Sequence, residues 1–222
     1  MKKGIKKIDI PKYSLCEELM NAISHGVGAL LSIAALVLCV VVSAIHKDTY
    51  AVVSSCIYGS TSIILYCMST LYHSFKVNNA KRVFRIIDHS SIYLLIAGTY
   101  TPYALVTLRE VSPLIGWLIF GIIWACALIG ITFTSIDMNK FKKMGMILYI
   151  IMGWMILFPF KILMTNIDVK GVYLMIGAGI TYTIGAVIFA LGSKIKYMHS
   201  LFHLFVLGAS IQFFFSIFLY VI

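Results

Sequence analysis

Long apolar segments alternate with short polar connections along the whole chain. Each segment approaches or exceeds the roughly 20 mostly apolar residues that a membrane-spanning helix needs. Two of them contain a proline, Pro102 in the third and Pro159 in the fifth, where we expect a kink or a helix boundary. The pattern predicts an all-α integral membrane protein with seven transmembrane helices, approximately Ala22 to Ile45, Tyr50 to Tyr72, Ile86 to Leu108, Pro113 to Thr134, Met144 to Phe160, Val172 to Leu191 and Met198 to Ile222.

The composition supports a membrane protein and excludes several soluble classes. Of the 222 residues, 61% are apolar and 12% are charged, whereas a soluble domain is nearer half apolar and a quarter charged. The formal net charge of +10 does not indicate nucleic-acid binding, because the lysines stand between apolar segments and not on one basic face. The five cysteines form no CxxC pair, so neither a zinc ribbon nor a disulfide scaffold is expected.

The basic residues predict the orientation of the helices. Cytoplasmic loops retain Lys and Arg, and with a cytoplasmic N-terminus 14 of the 18 basic residues fall inside. We therefore expect a cytoplasmic N-terminus, an outside C-terminus, a basic cytoplasmic tail over residues 1–18 and a transmembrane domain over residues 19–222. The first apolar segment begins only after about 20 residues, so we expect a spanning helix and not a cleaved signal peptide. The inner set is Lys2, Lys3, Lys6, Lys7, Lys12, Lys76, Lys81, Arg82, Arg85, Lys140, Lys142, Lys143, Lys194 and Lys196.

Five of the six histidines lie at segment ends predicted to face the cytoplasm; only His46 lies outside. His199 and His203 are four residues apart, so they share one helix face and can chelate a metal ion. His73 adds a third imidazole at the same predicted depth. Three imidazoles and one open position are typical of a catalytic zinc site. We predict zinc at this place; chance spacing and hydrogen bonding between helices are the alternative explanations.

Two further residues stand where a hydrolytic zinc site needs them. Asp88 begins the third segment and could accept a proton from water as a general base. Ser69 lies one helical turn before His73 and could donate to a developing oxyanion. The alternatives are that Ser69 bonds back to its own helix and that Asp88 pairs with Arg85 or Lys81.

A second group of polar residues lies near the start of the first segment. Glu18, Asn21 and His25 are spaced to share one helical stripe. They are candidates for a polar inlet or for supporting the metal ligands; equally, they could be ordinary helix-start and interface residues. His89 follows Asp88 directly, points about 100° away on a helix and is not expected to share the metal.

Four ordered motifs resemble the hemolysin III family, the bacterial branch of the progestin and adipoQ receptor superfamily that includes the adiponectin receptors. The resemblance covers the chain from about Glu18 to its end. The motifs are ELMNAISH at residues 18–25, STLYH at 69–73, IDHS at 87–90 leading into AGTYTPY at 97–103, and HSLFHLFV at 199–206.

The resemblance implies a multi-pass protein of the bacterial plasma membrane, with zinc in its cytoplasmic half. The zinc would be bound by His73, His199 and His203, and Asp88 would reach it through water. Ser69 matches the serine of the family's SxxxH motif. One departure is Gln212, where many bacterial members are expected to carry another histidine.

The favoured function is zinc-dependent hydrolysis of an amide or ester in a membrane lipid, as in the related ceramidases, with a role in membrane-lipid homeostasis. The alternative is a non-enzymatic membrane regulator or a cytolytic protein with structural zinc. An ion carrier or channel ranks last, because transport paths place ionisable groups near the middle of the membrane. Membrane lipid is the expected partner, and the oligomeric state is left open.

Overall fold

Every regular element in the part of the chain that the computed structural model describes, residues 8–46, 48–191 and 195–222, is helical. The all-α membrane fold is therefore confirmed. The orientation stays a prediction, and Lys2, Lys3, Lys6, Lys7, Lys47 and Lys194 lie outside the described residues. The elements are α1 (Leu15–Ile45), α2 (Thr49–Ser74), α3 (Asn79–Pro102), a π-helical segment (Tyr103–Leu108), α4 (Arg109–Val111), α5 (Pro113–Trp154), a 3-10 turn (Met155–Leu157), α6 (Phe160–Asn166), α7 (Val169–Leu191) and α8 (Met198–Tyr220).

Helix α5 accounts for two of the seven predicted segments. Among the described residues, six helices are long and apolar enough to cross a membrane when α5 is counted once. Its 42 residues would extend roughly 63 Å, about twice the thickness of a bilayer core. Asp137 breaks it with non-helical φ −157° and ψ 93°, and the Asp137 carboxylate accepts a hydrogen bond from the Lys140 amide at 3.0 Å. This side-chain cap starts the second half, so no long loop separates the two halves.

Helix α1 begins at Leu15, before the apolar segment predicted to start at Ala22. A capping box causes the early start: the Ser14 hydroxyl accepts from the Glu17 amide at 3.3 Å, and the Glu17 carboxylate accepts from the Ser14 amide at 2.9 Å. The polar residues between Leu15 and Ala22 are therefore helical. This places Glu18 and Asn21 on the same helix as His25, one to two turns from it.

Helix α3 and its continuation to Val111 form the centre of the bundle. In its most apolar stretch, 83% of the residues are buried inside the protein. The corresponding fraction is 22% for α1 and 17% for α7. Helix α3 packs against α2 and α5, while α1 packs against α2 and α8, and α7 against α8. Regular α-helical geometry ends at Pro102, and Pro159 separates the 3-10 turn from α6, so both prolines lie at helix boundaries.

The close packing of α2 on α3 generates a stability prediction. A Cβ atom at Gly98 would overlap the Thr61 hydroxyl of α2, so Gly98→Ala should destabilise the protein by about 1–3 kcal/mol. Gly121 is exposed on α5 with nothing within 4 Å, so Gly121→Ala should be neutral or slightly stabilising. Thermal unfolding in detergent measures both, and equal midpoints for the two variants would contradict this packing.

Candidate metal centre

Three buried histidines meet at one end of the bundle. His73 lies at the end of α2, and His199 and His203 lie in the first two turns of α8. Nε2 of His199 is 3.4 Å from Nε2 of His73 and 3.2 Å from Nε2 of His203. One ring nitrogen from each residue lies within 4.8 Å of the others. The structure thus brings together the three residues predicted as ligands.

Two of the three separations between these nitrogens fit a tetrahedral metal ion. Two imidazole nitrogens bound to zinc at 2.0–2.1 Å lie about 3.3 Å apart when the coordination is tetrahedral. The observed separations of 3.2 and 3.4 Å match this value. No cysteine or carboxylate within the described ranges joins the three imidazoles in this cluster. The cluster can therefore hold a metal ion with three protein ligands, which leaves room for a fourth ligand.

The outer nitrogens of two rings are held by residues of α1. The carboxylate Oε2 of Glu18 lies 2.7 Å from Nδ1 of His73. The Asn21 side chain approaches the same nitrogen at 3.4 Å, and its backbone oxygen lies 3.3 Å from Nδ1 of His203. Because Nδ1 of each ring faces an oxygen, Nε2 is the nitrogen available to a metal. Glu18 and Asn21 thus contact two of the three clustered histidines, and their role in supporting metal ligands stays a prediction.

His25 contacts the cluster without joining it. Its ring stacks on His203 with the centroids 3.7 Å apart and the planes at 16°, and it meets Tyr66 edge-on. Both ring nitrogens are buried and have no hydrogen-bond partner among the described residues. His25 also lines the cavity that borders the site. His89 lines that cavity as well, but it lies outside the cluster.

Asp88 and Ser69 line the same cavity beside the histidines. Neither Arg85 nor Lys81 forms an ion pair with Asp88 in the described parts of the chain; Lys81 pairs with Glu18 instead. The Ser69 hydroxyl is fully buried and interacts with the Asp88 carboxyl. It lacks a partner of regular hydrogen-bond geometry and does not bond back to its own helix. Both side chains are therefore available to a molecule in the cavity.

The cavity has a volume of about 130 Å³ and an almost entirely apolar wall. This volume is similar to that of cavities that bind benzene. His199 and His203 line the cavity together with Ser69 and Asp88, and mostly apolar and aromatic residues of α3, α5, α7 and α8 form the rest. The apolar part includes Ile92, Leu95, Ile150, Trp154, Phe189 and Val206. A ligand with a polar end and a short apolar body fits a cavity of this size and lining.

Two residues at the centre were missed by the sequence analysis. Tyr13 stacks on His199, with the ring centroids 5.0 Å apart, and covers the site from the segment before α1. Lys81 is 2% exposed and binds Glu18, whereas the sequence indicates only a topology signal or a partner of Asp88. Its spacing to Asp88 is a usable signal, because residues seven apart share a helical stripe. Tyr13 offers no such spacing, because it precedes the helix.

Gln212 lies away from the metal centre. Its amide nitrogen donates to the Thr181 hydroxyl at 3.0 Å and to the Gly208 carbonyl at 3.3 Å. Gln212 therefore links α8 to α7 and contributes nothing to the cluster.

Comparisons of the sequence with a family model and with individual known proteins point to the same family. Residues 13–214 match the family described as Haemolysin-III related. The chain is 45% identical to Hemolysin-3 of Bacillus cereus, over 93% of this chain and 92% of the relative. It is 38% identical to the Hemolysin-3 homolog of Bacillus subtilis (strain 168), over 94% and 96%. It is 27% identical to the human Monocyte to macrophage differentiation factor, over 92% and 84%.

The geometry predicts which histidines control metal content. His73→Ala and His203→Ala should each remove most of the bound metal, because two imidazoles remain where three are needed. His46→Ala and His89→Ala should keep it, since neither residue belongs to the cluster. Mass spectrometry of metal per chain after zinc loading and desalting measures this. Equal metal in all four variants would contradict a site at these residues.

Proposed function

Because the chain belongs to the Haemolysin-III related family and is a multi-pass protein of the bacterial plasma membrane, we propose that it is a zinc-dependent hydrolase. The substrate class is a membrane lipid with an amide or ester bond. One observation carries the proposal: the three-histidine cluster borders an apolar cavity that also exposes a carboxyl and a hydroxyl group.

Zinc is the metal that the donor set favours. Three imidazoles and a position open to water are typical of catalytic zinc, and no thiolate takes part. When bound, zinc supplies Lewis-acid activation of water and of the scissile carbonyl. His73, His199 and His203 would hold it through Nε2.

Asp88 and Ser69 supply the remaining chemistry. Asp88 accepts the proton of the attacking water and returns it to the leaving group, as a general base and then a general acid. Ser69 donates its hydroxyl to the carbonyl oxygen as negative charge develops there. Both residues line the cavity together with His199 and His203, so a lipid whose first acyl carbons enter the apolar part would place its carbonyl near them.

The roles of Asp88 and Ser69 predict distinct losses. Asp88→Asn should lower the turnover of zinc-loaded protein by at least about 100-fold while zinc is retained. Ser69→Ala should lower it by about tenfold or more. Ser91→Ala is a matched control, because the Ser91 hydroxyl is also buried but bonds its own helix at the Asp88 carbonyl. Release of fatty acid from a panel of N-acyl and ester lipids in proteoliposomes measures all four proteins.

Two results would contradict this proposal. The first is undiminished turnover in Asp88→Asn. The second is the absence of hydrolysis across the panel by zinc-loaded wild type.

A second candidate is cytolysis, with the metal as a structural link between α2 and α8. The name Hemolysin-3, carried by the Bacillus cereus relative, favours it. If lysis is independent of the metal centre, purified wild type and His203→Ala should lyse red cells equally. Haemoglobin release measures this, and absence of lysis by wild type would remove the candidate.

A further inference from the structure

A buried lysine lies near the candidate metal centre and is not among the residues that line the cavity. Lys81 is 2% exposed, and its ammonium donates to Glu18 Oε1 at 2.6 Å and to the Phe75 carbonyl at 3.0 Å. Glu18 Oε2 in turn lies 2.7 Å from His73 Nδ1. We infer that Lys81 and Glu18 are positioning residues that orient His73 for metal binding. This inference rests on the proposed zinc site.

Burial of Lys81 needs an explanation, because a cation buried in the protein is costly unless it is paired. A lysine that only sets the orientation of the helices could remain in water, as the exposed Lys76 does. Lys81 instead reaches across to α1 for Glu18 and to the end of α2 for Phe75. The carbonyls at a helix end lack partners within the helix, and Lys81 satisfies the Phe75 carbonyl, two residues after His73.

The two oxygens of Glu18 have separate tasks. Oε1 is occupied by Lys81 and Oε2 faces His73, so the carboxylate has one orientation. An ionised carboxylate only accepts hydrogen bonds, so Nδ1 of His73 must carry the proton. The lone pair is then on Nε2, which faces His199. Lys81 thus acts on the ligand through Glu18 by fixing the position and the tautomer of the ring.

Hydrogen-bond partners of metal-bound histidines commonly contribute 10- to 100-fold to metal affinity. Both Glu18→Gln and Lys81→Met should therefore weaken zinc binding about 10- to 100-fold. Because both residues act through the same contact with His73, their effects should not add. The zinc affinity of the double variant should lie within about threefold of that of Glu18→Gln. Lys76→Met is the matched control: it removes the same charge from an exposed position and should bind zinc as wild type does.

The experiment titrates zinc into each detergent-purified variant in competition with a chromophoric chelator. Visible absorption of the cobalt-substituted protein reports ligand geometry, which a merely structural role of Lys81 would leave unchanged; Lys81→Met should alter it. Lys81→Arg keeps the cation and should restore part of the affinity. If Lys81→Met does not fold, the zinc affinities of Glu18→Gln and Lys81→Arg are compared with that of the control Lys76→Met, and this comparison tests the positioning role.

The outcomes separate this inference from the proposed zinc site. Zinc binding by wild type with unchanged affinity and cobalt spectrum in both Glu18→Gln and Lys81→Met would overturn the positioning role alone. No zinc binding by wild type would overturn both. Weaker binding in Glu18→Gln with wild-type binding in Lys81→Met would remove Lys81 from the path.

Discussion

Three imidazole rings held against one another inside a membrane bundle constrain how its helices pack. Each ring presents one nitrogen to its neighbours, and α1 supplies oxygens for the outer nitrogens of His73 and His203. The end of α2, the start of α8 and the first turns of α1 must therefore stay in register. A small rotation of any of these helices would separate the nitrogens or bury a polar atom without a partner, which is costly away from water.

In the rest of the bundle, too, polar side chains make contacts in the interior and large apolar side chains face outward. Lipid offers little hydrophobic drive for helices to associate, so close packing and interior polar contacts matter more. The buried hydroxyl of Tyr103 donates to Ser216, which donates to the Gly171 carbonyl, and these contacts join the far ends of α7 and α8. Large apolar side chains such as Leu30 and Leu114 face outward.

Hydropathy and spacing predicted much of the fold and the candidate site. Segment lengths depend on membrane thickness, and the i, i+4 spacing of His199 and His203 is set by helix geometry. Both are local properties and can be read from one sequence. The cap at Asp137 was missed because a single side chain replaced an expected loop.

The pairing of Lys81 with Glu18 was missed for a different reason. The pairing depends on which helices are neighbours and on how far each helix is rotated about its axis. The periodicity of a single segment gives no information on either. The contact of Tyr13 with His199 is likewise tertiary. Hydropathy assigned Lys81 to a connection between spans, whereas the capped start of α1 and the end of α2 enclose it.

The ligand set is tested most directly by X-ray absorption at the zinc edge on zinc-loaded protein in lipid nanodiscs. Three histidines and one water predict nitrogen and oxygen ligands at about 2.0–2.1 Å in fourfold coordination, with imidazole scattering from about three rings. Sulfur at about 2.3 Å, or scattering from fewer than two imidazoles, would contradict a metal centre formed by His73, His199 and His203.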